Sequence, residues 1–317
     1  MLKAVTHVSG IHPRSEAHIR TTRRFDRGDA TRRELVDVQK KDARDFADLQ
    51  CKAGISLVSN GLYEWQDAFR KVCMSCDGVD VGTLTRFYDT NTFYRQPTFK
   101  SGLRFKRWEE TLPKLTKGYE GLALLPGPYT FARMSKDEAY GDLGELMAAV
   151  NSVLVKASRW YVSKGINHLL FSEPSLVVTS PKRGEWSSIR DCYKELRKAG
   201  ARQLIVQTYF GDASKILPGT LDLQVDALGI DFFETELDAI KSFDLGKMRV
   251  ECGCVDAENS LLERPKDVAA FARMVAKTLD LGSVGIVPNA PMEYLPRAVA
   301  DEKVKVLAKA ASIAGGD

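Results

Sequence analysis

Short apolar segments alternate with amphipathic helical segments along the whole chain. The apolar segments are rich in aliphatic residues and end in turns or polar clusters, a pattern typical of buried strands. Nine candidate strands follow in order: 3–8, 55–59, 83–88, 121–125, 168–172, 203–210, 225–231, 248–253 and 284–288. Because helical segments separate them, the pattern predicts parallel strands joined by right-handed crossovers.

The helical segments carry start and stop signals. The longest, 137–165, has apolar residues at helical spacing and ends in a glycine. Residues 265–282 begin with proline and end with glycine, the usual asymmetry of a helix, and a last helix is predicted over 297–316. About eight strand–helix units without a linker favour a single (β/α)8 TIM barrel of the α/β class over residues 1–317, rather than an open doubly wound sheet.

The composition is that of an ordinary soluble globular protein. The chain has 317 residues, of which 44% are hydrophobic and 28% charged, enough for a large core. No apolar run is long enough to cross a bilayer, and residues 1–10 are too polar for a signal peptide. We therefore expect a cytoplasmic protein that has no membrane partner.

The net charge of +4 includes two basic clusters, 20–33 and 106–117. Neither has the stripe of basic and aromatic residues typical of nucleic-acid binding, so nucleic acid is not expected as a partner. An anionic small molecule fits better, and a solvated surface is the simplest interpretation. The chain has no GxGxxG after its first strand and no GxxxxGK[ST], which argues against nucleotide binding.

Six cysteines in a chain of this length do not indicate a disulfide scaffold. Cys73 and Cys76 form a CxxC pair, and Cys252 and Cys254 form a CxC pair. Both spacings could hold a metal ion, but no histidine neighbours either pair and the barrel would separate them. Buried or strand-end thiols are the simpler interpretation.

Aromatic and polar residues concentrate after the predicted strands, on the face where (β/α)8 barrels carry their chemistry. The aromatic residues expected there are Trp65, Tyr88, Phe93, Tyr94, Tyr129, Phe131, Tyr209 and Phe210. Beside acids and arginines they predict a ligand cleft, although loops without a ligand are polar as well.

Several side chains on this face are candidates for binding. Arg14 and Arg95 could make bidentate contacts with a carboxylate. A polar clamp at the mouth could be formed by Asp89, Asn91, Tyr94 and Arg95. Surface ion pairs with neighbouring acids are the competing interpretation of these residues.

The other candidates have structural alternatives too. Trp65 and Asp67 could meet a flat ring or a partner surface, and Trp65 could equally cover the core. Glu173, which precedes a proline at a strand end, is the strongest candidate for a cleft carboxylate. His7 and His12 flank the first strand end and could act as a base or hold an anion, or could be hydrogen-bonded structural histidines.

Six segments in a fixed order carry a resemblance to one enzyme family. They are HVSGIHPRSE (7–16), GISLVSNGLYEWQDAFR (54–70), FYDTNTFYRQP (87–97), LLPGPYTFARMS (124–135), LLFSEPSL (169–176) and GIVPNAPMEYLP (285–296). In order and spacing they resemble the cobalamin-independent methionine synthase family over nearly the whole chain. No single segment is decisive by itself.

The resemblance implies a fold and different roles for the two barrels of the family. Full-length members of this family are two fused (β/α)8 barrels. The C-terminal barrel holds zinc through His, Cys, Glu and a second Cys, and binds homocysteine. The N-terminal barrel has no zinc and helps to hold the polyglutamate tail of the folate. Some archaea carry the barrels as separate chains, and some carry short single-barrel enzymes.

At the positions that match the zinc ligands, this chain departs from the family pattern. The His-x-Cys pair falls at Gln207 and Tyr209, the Glu falls near Asp231, and the second Cys falls at Asn289. The acidic pair that grips the homocysteine amine is reduced to a serine and Glu173. The catalytic His expected near residue 257 is absent. The resemblance is therefore to the zinc-free N-terminal barrel, and it implies no zinc or homocysteine site.

The missing ligands matter because methyl transfer to homocysteine needs a thiolate. A free thiol with a pKa near ~8.5 is only a few per cent ionised at neutral pH, whereas zinc coordination deprotonates it. Amide, phenol and carboxylate groups replace the Cys sulfur and His nitrogen that zinc prefers. We therefore expect no metal and no resident cofactor in this chain.

These inferences lead to three functional hypotheses. The first is a barrel that supports methyl transfer in methionine biosynthesis by holding the methyl donor and docking onto a separate zinc-bearing barrel. Its substrate-binding surface would contain Arg14, Trp65, Asp67, Asp89, Asn91, Tyr94, Arg95, Glu173, Tyr209 and Asp231. The second is a stand-alone methyltransferase with a rearranged or metal-free site. The third is a ligand-binding or regulatory barrel without a partner enzyme.

Overall fold

Eight parallel strands form the wall of a barrel. A computed structural model describes residues 2–112, 115 and 118–316. In chain order the strands are β1 (Lys3–Thr6), β2 (Leu57–Val58), β3 (Cys76–Arg86), β4 (Phe93–Phe105), β5 (Glu120–Pro126), β6 (Lys136–Asp137), β7 (His168–Ser172), β8 (Gln203–Gln207), β9 (Ala227–Asp231), β10 (Arg249–Val255) and β11 (Ser283–Pro288). The barrel order is β1-β11-β10-β9-β8-β7-β5-β2. A parallel bridge between His7 and Leu57 joins its two end strands, so the expected (β/α)8 TIM barrel is confirmed.

Helices follow the barrel strands and bury one face each. In chain order they are α1 (Glu16–Asp26), α2 (Arg32–Ala53), α3 (Arg70–Met74), α4 (Pro128–Arg133), α5 (Leu143–Ser163), α6 (Pro174–Val178), α7 (Glu185–Arg197), α8 (Leu217–Thr220), α9 (Leu237–Ile240), α10 (Pro265–Thr278) and α11 (Arg297–Gly315). Thr31 and Glu34 form a capping box at the start of α2, and Gly54 ends it at φ 93°. In the described part of the chain, no helix has both the length and the hydrophobicity that a membrane span requires.

One of the nine candidate strands does not belong to the barrel. Residues 83–86 end β3, and 87–88 follow it. This strand pairs antiparallel with β4 in a long hairpin inserted between β2 and β5. The side chains of 83–86 are mostly exposed, whereas a parallel barrel strand is buried on both faces. The prediction of a barrel strand at 83–88 is therefore wrong, and β5 is the third strand of the barrel.

The helix predicted over 137–165 begins later, at Leu143. Asp137 belongs to β6, which pairs with the hairpin. Its carboxylate accepts hydrogen bonds from the backbone N–H groups of 139–141, which forms a turn where a helix was expected. Asp142 then caps α5 by accepting a hydrogen bond from the third residue of the helix.

The barrel interior buries charged side chains as well as aliphatic ones. Glu251 of β10 is fully buried and is hydrogen-bonded to Arg249, with Nε at 2.9 Å from Oε1. The other carboxylate oxygen lies 3.6 Å from Nε2 of His7. Burial alone would raise the pKa of Glu251, but Arg249 and His7 outweigh it and hold the pKa at about 2. Gly285, in the register partner position on β11, leaves the space that this carboxylate fills.

Candidate functional site

A cavity of about 40 Å³ lies where the chain leaves the carboxyl ends of the barrel strands. Residues that end or follow β1, β2, β5, β7, β8 and β11 line it, together with one residue of the hairpin. Most of its wall is apolar: Ile11, Leu62, Trp65, Phe69, Phe87, Leu124, Pro126 and Tyr209. The polar groups are few, chiefly Thr130, Ser172 and Glu293. An apolar pocket with a few polar groups at this face is the usual form of a (β/α)8 binding site.

The tip of the hairpin forms the roof of this cavity. Phe87 is part of the wall, and the Tyr88 hydroxyl lies 2.6 Å from Oγ of Ser175 at the start of α6. The Tyr88 ring contacts Phe210 across the mouth, with ring centroids 6.2 Å apart. Tyr88 (φ 52°) and Phe210 (φ 70°) both adopt left-handed backbone, which is costly for bulky residues and is concentrated at functional sites.

We expect Tyr88→Phe to lower the free energy of unfolding by about 1 kcal/mol, because Ser175 loses its hydrogen-bond partner. Urea denaturation followed by circular dichroism would measure the change. Tyr63→Phe is the matched control, since the Tyr63 hydroxyl is buried without a partner in the described structure and its removal should cost nothing. An equal loss in the two variants would rule out the hydroxyl contact as the cause.

Arg14 and Trp65 lie together beside the cavity. Nη2 of Arg14 donates to the Trp65 carbonyl oxygen at 2.6 Å, and the indole Nε1 of Trp65 donates to Oε1 of Glu110 at 2.9 Å. Asn60 donates to the same Glu110 oxygen at 2.8 Å, and Tyr161 to the other. The sequence did not point to Glu110, which is hidden in a basic cluster, yet it fixes the orientation of Trp65.

Asp67 ties the loop after β2 to the hairpin. Its carboxylate accepts hydrogen bonds from the backbone N–H groups of Phe69 at 3.0 Å, Arg70 at 2.8 Å and Arg95 at 3.2 Å. The Arg70 guanidinium also lies 3.1 Å away. The side chain is buried and does not line the cavity, so its contacts hold the neighbouring wall residue Phe69 in place.

The four residues expected to form a polar clamp do not meet at one point. Asp89, Asn91 and Arg95 are exposed on the hairpin, and Asp89 lies 3.6 Å from the guanidinium of Arg86. Tyr94 points the other way, is buried, and donates to a backbone carbonyl at 2.9 Å. Burial raises the pKa of Tyr94 to about 12.

Glu173 follows β7, as the sequence indicated, and is fully buried. Its carboxylate accepts hydrogen bonds from the backbone N–H groups of Tyr129 at 3.0 Å and Thr130 at 2.7 Å, and from the Tyr193 hydroxyl at 3.2 Å. It thus caps the start of α4 and does not line the cavity. Burial raises the pKa of Glu173 to about 7 against these hydrogen bonds.

Four positions that the sequence resemblance sets against the family's zinc ligands, namely Gln207, Tyr209, Asp231 and Asn289, lie at the ends of β8, β9 and β11. Nδ2 of Asn289 donates to Oδ2 of Asp231 at 3.3 Å, and Nε2 of Gln207 donates to the Pro288 carbonyl oxygen at 3.2 Å. Asp231 also accepts hydrogen bonds from two backbone N–H groups. Burial raises the pKa of Asp231 and Tyr209. Most polar atoms of this set are thus taken up by neighbouring groups.

Among the residues that the structure describes, no group of three or more His, Cys, Asp or Glu side chains is arranged to hold a metal ion. Cys73, Cys76 and Cys252 are buried thiols, and burial raises the pKa of each. A raised pKa disfavours the thiolate that binds metals.

Glu293 is a cavity residue that the sequence interpretation missed. It follows β11 in the segment PMEYLP and stands among apolar wall residues. Burial raises the pKa of its carboxyl group to about 7, and the charge of Arg14 only partly opposes this effect. Its position in the sequence could have indicated this role, because it is an acid in the loop after the last barrel strand and that loop lies at the mouth.

The two histidines near the first strand end each lie beside an acid. Nε2 of His12 lies 2.8 Å from Oδ1 of Asp301, and its ring stacks on Phe46 at a centroid distance of 3.9 Å. Burial lowers the pKa of His12. His7 points into the barrel interior near Glu251. Neither histidine lines the cavity.

Comparison with known proteins identifies similar chains. The 5-methyltetrahydropteroyltriglutamate–homocysteine methyltransferase of Syntrophotalea carbinolica is 28% identical over 232 residues, 70% of this chain and 30% of that protein. The methionine synthase of Sulfurisphaera tokodaii is 24% identical over 233 residues, 72% of this chain and 68% of that protein. The chain therefore spans less than a third of the first relative and about two thirds of the second.

Solved structures share the fold. A B12-independent methionine synthase from Shewanella sp. W3-18-1, in complex with selenomethionine, superposes with a TM-score of 0.74 at 17% identity, over 99% of this chain and 98% of that one. The family model described as "Cobalamin-independent synthase, N-terminal domain" matches residues 76–279, well over half of the chain. The chain therefore belongs to the cobalamin-independent methionine synthase family and matches its N-terminal domain.

Proposed function

We propose that this chain is a zinc-free barrel that supports methyl transfer in methionine biosynthesis. It holds the methyl donor at its mouth and docks onto a separate barrel that carries the zinc and homocysteine ligands. One observation carries this proposal: the side chains at 207, 209, 231 and 289 offer no soft donor, and those of Gln207, Asp231 and Asn289 are hydrogen-bonded to the protein itself.

These residues do not fit a zinc ion. Zinc in proteins prefers sulfur and imidazole nitrogen in a tetrahedron. The Gln207 amide nitrogen is a donor to Pro288, and three N–H groups already surround the Asp231 carboxylate. Tyr209 would have to ionise against the raised pKa of its buried phenol. Because the set does not fit, no step of the proposed function uses a metal in this chain.

The match to an N-terminal domain supports a role beside a second barrel. The chain spans 30% of the Syntrophotalea relative, a protein whose printed name describes methyl transfer to homocysteine. A single barrel of this kind therefore corresponds to one part of such a protein.

Exposed apolar side chains on the mouth side support docking. Val178 follows β7, Phe233 follows β9, Leu261 and Leu262 follow β10, and Phe93 lies on the hairpin. Their exposed fractions run from 41% for Val178 to 74% for Leu261. Large exposed apolar side chains gathered on one face are typical of interaction surfaces. This face, which we call the mouth surface, would receive the zinc-bearing barrel.

The test combines metal analysis, assay and capture. We expect the purified chain to contain far less than one zinc per molecule and to form no methionine from homocysteine and a methyl donor by itself. It should co-purify with a zinc-bearing barrel of the same family when the two are mixed. Methionine formation by the isolated chain, with or without zinc, would overturn the proposal.

A pair of substitutions tests the mouth surface itself. We expect Leu261→Asp to weaken capture of the zinc-bearing barrel at least about tenfold, because it places a charge in an apolar interface. Met274→Asp is the matched control, since Met274 is 49% exposed on the outer helix α10. Equal weakening by both variants would show that docking does not use this surface.

A stand-alone methyltransferase with a rearranged or metal-free site is the second candidate. The observation in its favour is the Shewanella structure, a chain of similar length covered to 98% by this one and bearing the printed name of a methionine synthase. Methionine formation by the isolated chain distinguishes this candidate from the first, whatever the zinc content.

A further inference from the structure

The hairpin tip, residues 87–92, covers the mouth of the barrel. The hairpin lies between β2 and β5 in the chain, yet its tip reaches past β5 to residues that follow β7 and β8. Phe87 is buried in the cavity wall, and the Tyr88 hydroxyl lies 2.6 Å from Oγ of Ser175, which follows β7. The Tyr88 ring contacts Phe210, which follows β8. The tip is therefore a roof that rests on loops from other strands.

The shaft of the hairpin below the tip is anchored to the barrel. The ladder between β3 and β4 ends where the tip begins. Next to this end, the Tyr94 hydroxyl donates to the Met134 carbonyl oxygen at 2.9 Å. The backbone N–H of Arg95 donates to the buried carboxylate of Asp67 at 3.2 Å. These contacts fix the shaft, so a motion of the hairpin would be confined to its tip.

The tip is an internally hydrogen-bonded unit. The Phe87 N–H donates to the Thr92 carbonyl oxygen at 3.0 Å, and the Thr90 hydroxyl donates to the Phe87 carbonyl oxygen at 2.6 Å. Among the described hydrogen bonds, the contact between Tyr88 and Ser175 is the one that joins the tip to the barrel. Tyr88 adopts left-handed backbone at φ 52°, which is strained for a bulky residue. One hydrogen bond thus holds a strained, compact unit against the mouth.

The closed cavity is too small for a large methyl donor. Its volume of about 40 Å³ has room for roughly three water molecules. Pockets that bury small-molecule ligands are on the order of 300 Å³ or more. The printed name of the Syntrophotalea relative contains a 5-methyltetrahydropteroyl group, and a pteroyl group includes two fused rings. A donor of this size could enter the barrel only if part of the roof moved.

We propose that the hairpin tip is a lid, held shut by the hydrogen bond between Tyr88 and Ser175, which moves outward to admit a methyl donor with fused rings. This inference rests on the proposed function, because it concerns the entry of the donor that the barrel would hold. When the tip is displaced, Phe87 leaves the wall, and the flat ring of the donor packs against the apolar residues that it covered. The complex therefore lacks the contact that holds the closed lid.

Removal of this contact should strengthen donor binding, because the contact stabilises the free chain and not the complex. We expect Tyr88→Phe to bind 5-methyltetrahydropteroylglutamate about fivefold more tightly than the native chain, the effect of one lost hydrogen bond. Ser175→Ala should have the same effect, and the double variant should gain no more than either single variant. Calorimetric titration of the full chain measures the affinities. Unchanged or weaker binding by Tyr88→Phe would overturn the lid.

Tyr94→Phe is the matched control for Tyr88→Phe. It removes a hydroxyl hydrogen bond from the shaft of the same hairpin, so it should leave the affinity for the donor unchanged. Near-ultraviolet circular dichroism checks that all variants are folded. Equal tightening by Tyr94→Phe would mean that the whole hairpin loosens, and it would overturn the tip as the moving part.

Thiol labelling tests the lid without any donor. Ser172→Cys places a thiol in the cavity wall, and a maleimide is too large to reach it while the lid is closed. Peptide mass spectrometry separates this thiol from Cys252, which is fully buried in the barrel and reports global unfolding. We expect labelling at 172 to be faster than at Cys252 and to accelerate about fivefold when Tyr88→Phe is added. Labelling that is no faster than at Cys252, or that Tyr88→Phe does not change, would contradict the lid.

The two measurements distinguish failure of the lid from failure of the proposed function. Donor binding that is the same in the native chain, Tyr88→Phe and Ser175→Ala would refute only the lid. Absence of donor binding in every variant would refute the donor-holding role, whereas labelling at 172 that still depends on Tyr88 would support the moving tip.

Discussion

Gly285→Ala is expected to lower the free energy of unfolding by about 4 kcal/mol or more, enough to threaten folding. A Cβ at this position would lie 1.4 Å from Oε2 of Glu251 and 2.9 Å from its Cα. The carboxylate is held by Arg249 on its other oxygen, so moving it aside would break a fully buried ion pair. The backbone contact also forces β10 and β11 apart. Guanidinium denaturation followed by far-ultraviolet circular dichroism would measure the loss.

A control variant at a second glycine measures the effect of replacing glycine by alanine where no clash arises. Gly184 precedes α7 with helical backbone angles, and a Cβ there would meet no atom within 4 Å. Gly184→Ala should be neutral or stabilising by up to about 1 kcal/mol. The losses caused by Gly285→Ala and by Glu251→Ala should not add in the double variant, because the new Cβ no longer meets a carboxylate once Glu251 is gone. A Gly285→Ala variant as stable as Gly184→Ala would show that the interior ion pair is not packed as described.

The barrel was predictable because its strands are continuous apolar runs. Residues 227–231 are buried along their whole length and 168–171 are buried as well, and this is the pattern of parallel strands covered on both sides. The hairpin was misassigned although 83–88 alternates polar and apolar residues over Thr83, Leu84, Thr85 and Arg86, a pattern that favours an antiparallel strand with one exposed face. Its partner strand β4 could not be identified from the six residues themselves.

The location of the site was easier to predict than the roles of its residues. Arg14 and Trp65 lie at the barrel mouth as the strand ends indicated. Glu173 also follows its strand as expected. The space for its carboxyl group is left by Gly127 at the end of the neighbouring strand, and the N–H groups that it accepts belong to α4. Such a fit depends on contacts distant in sequence, so inspection of the segment alone did not show it.

Glu173 occupies a space that one glycine leaves open. A Cβ on Gly127 would lie 2.0 Å from Cδ of Glu173, so the carboxyl group fills the gap in front of α4. There it accepts two backbone N–H groups and the Tyr193 hydroxyl. Burial nevertheless dominates and raises the pKa from 4.5 to about 7, so the protonated form is favoured by folding. The group contributes stability that is fully present below about pH 4.5 and is lost as the pH rises through 7.

We therefore expect the stability advantage of the native chain over Glu173→Gln to shrink by about 3 kcal/mol between pH 4.5 and pH 7.5, from the shift in pKa. Glutamine cannot ionise, so the difference between the two chains isolates Glu173 from Glu293, which is present in both. Denaturant unfolding at closely spaced pH values measures the difference. Tyr193→Phe tests the direction of the pKa shift. This variant removes a hydrogen-bond donor to the carboxylate, so the pKa of Glu173 should rise further and the loss of stability should occur at higher pH. A difference that is flat with pH, or that grows as the pH rises, would mean that Glu173 is ionised throughout and that its hydrogen bonds outweigh its burial.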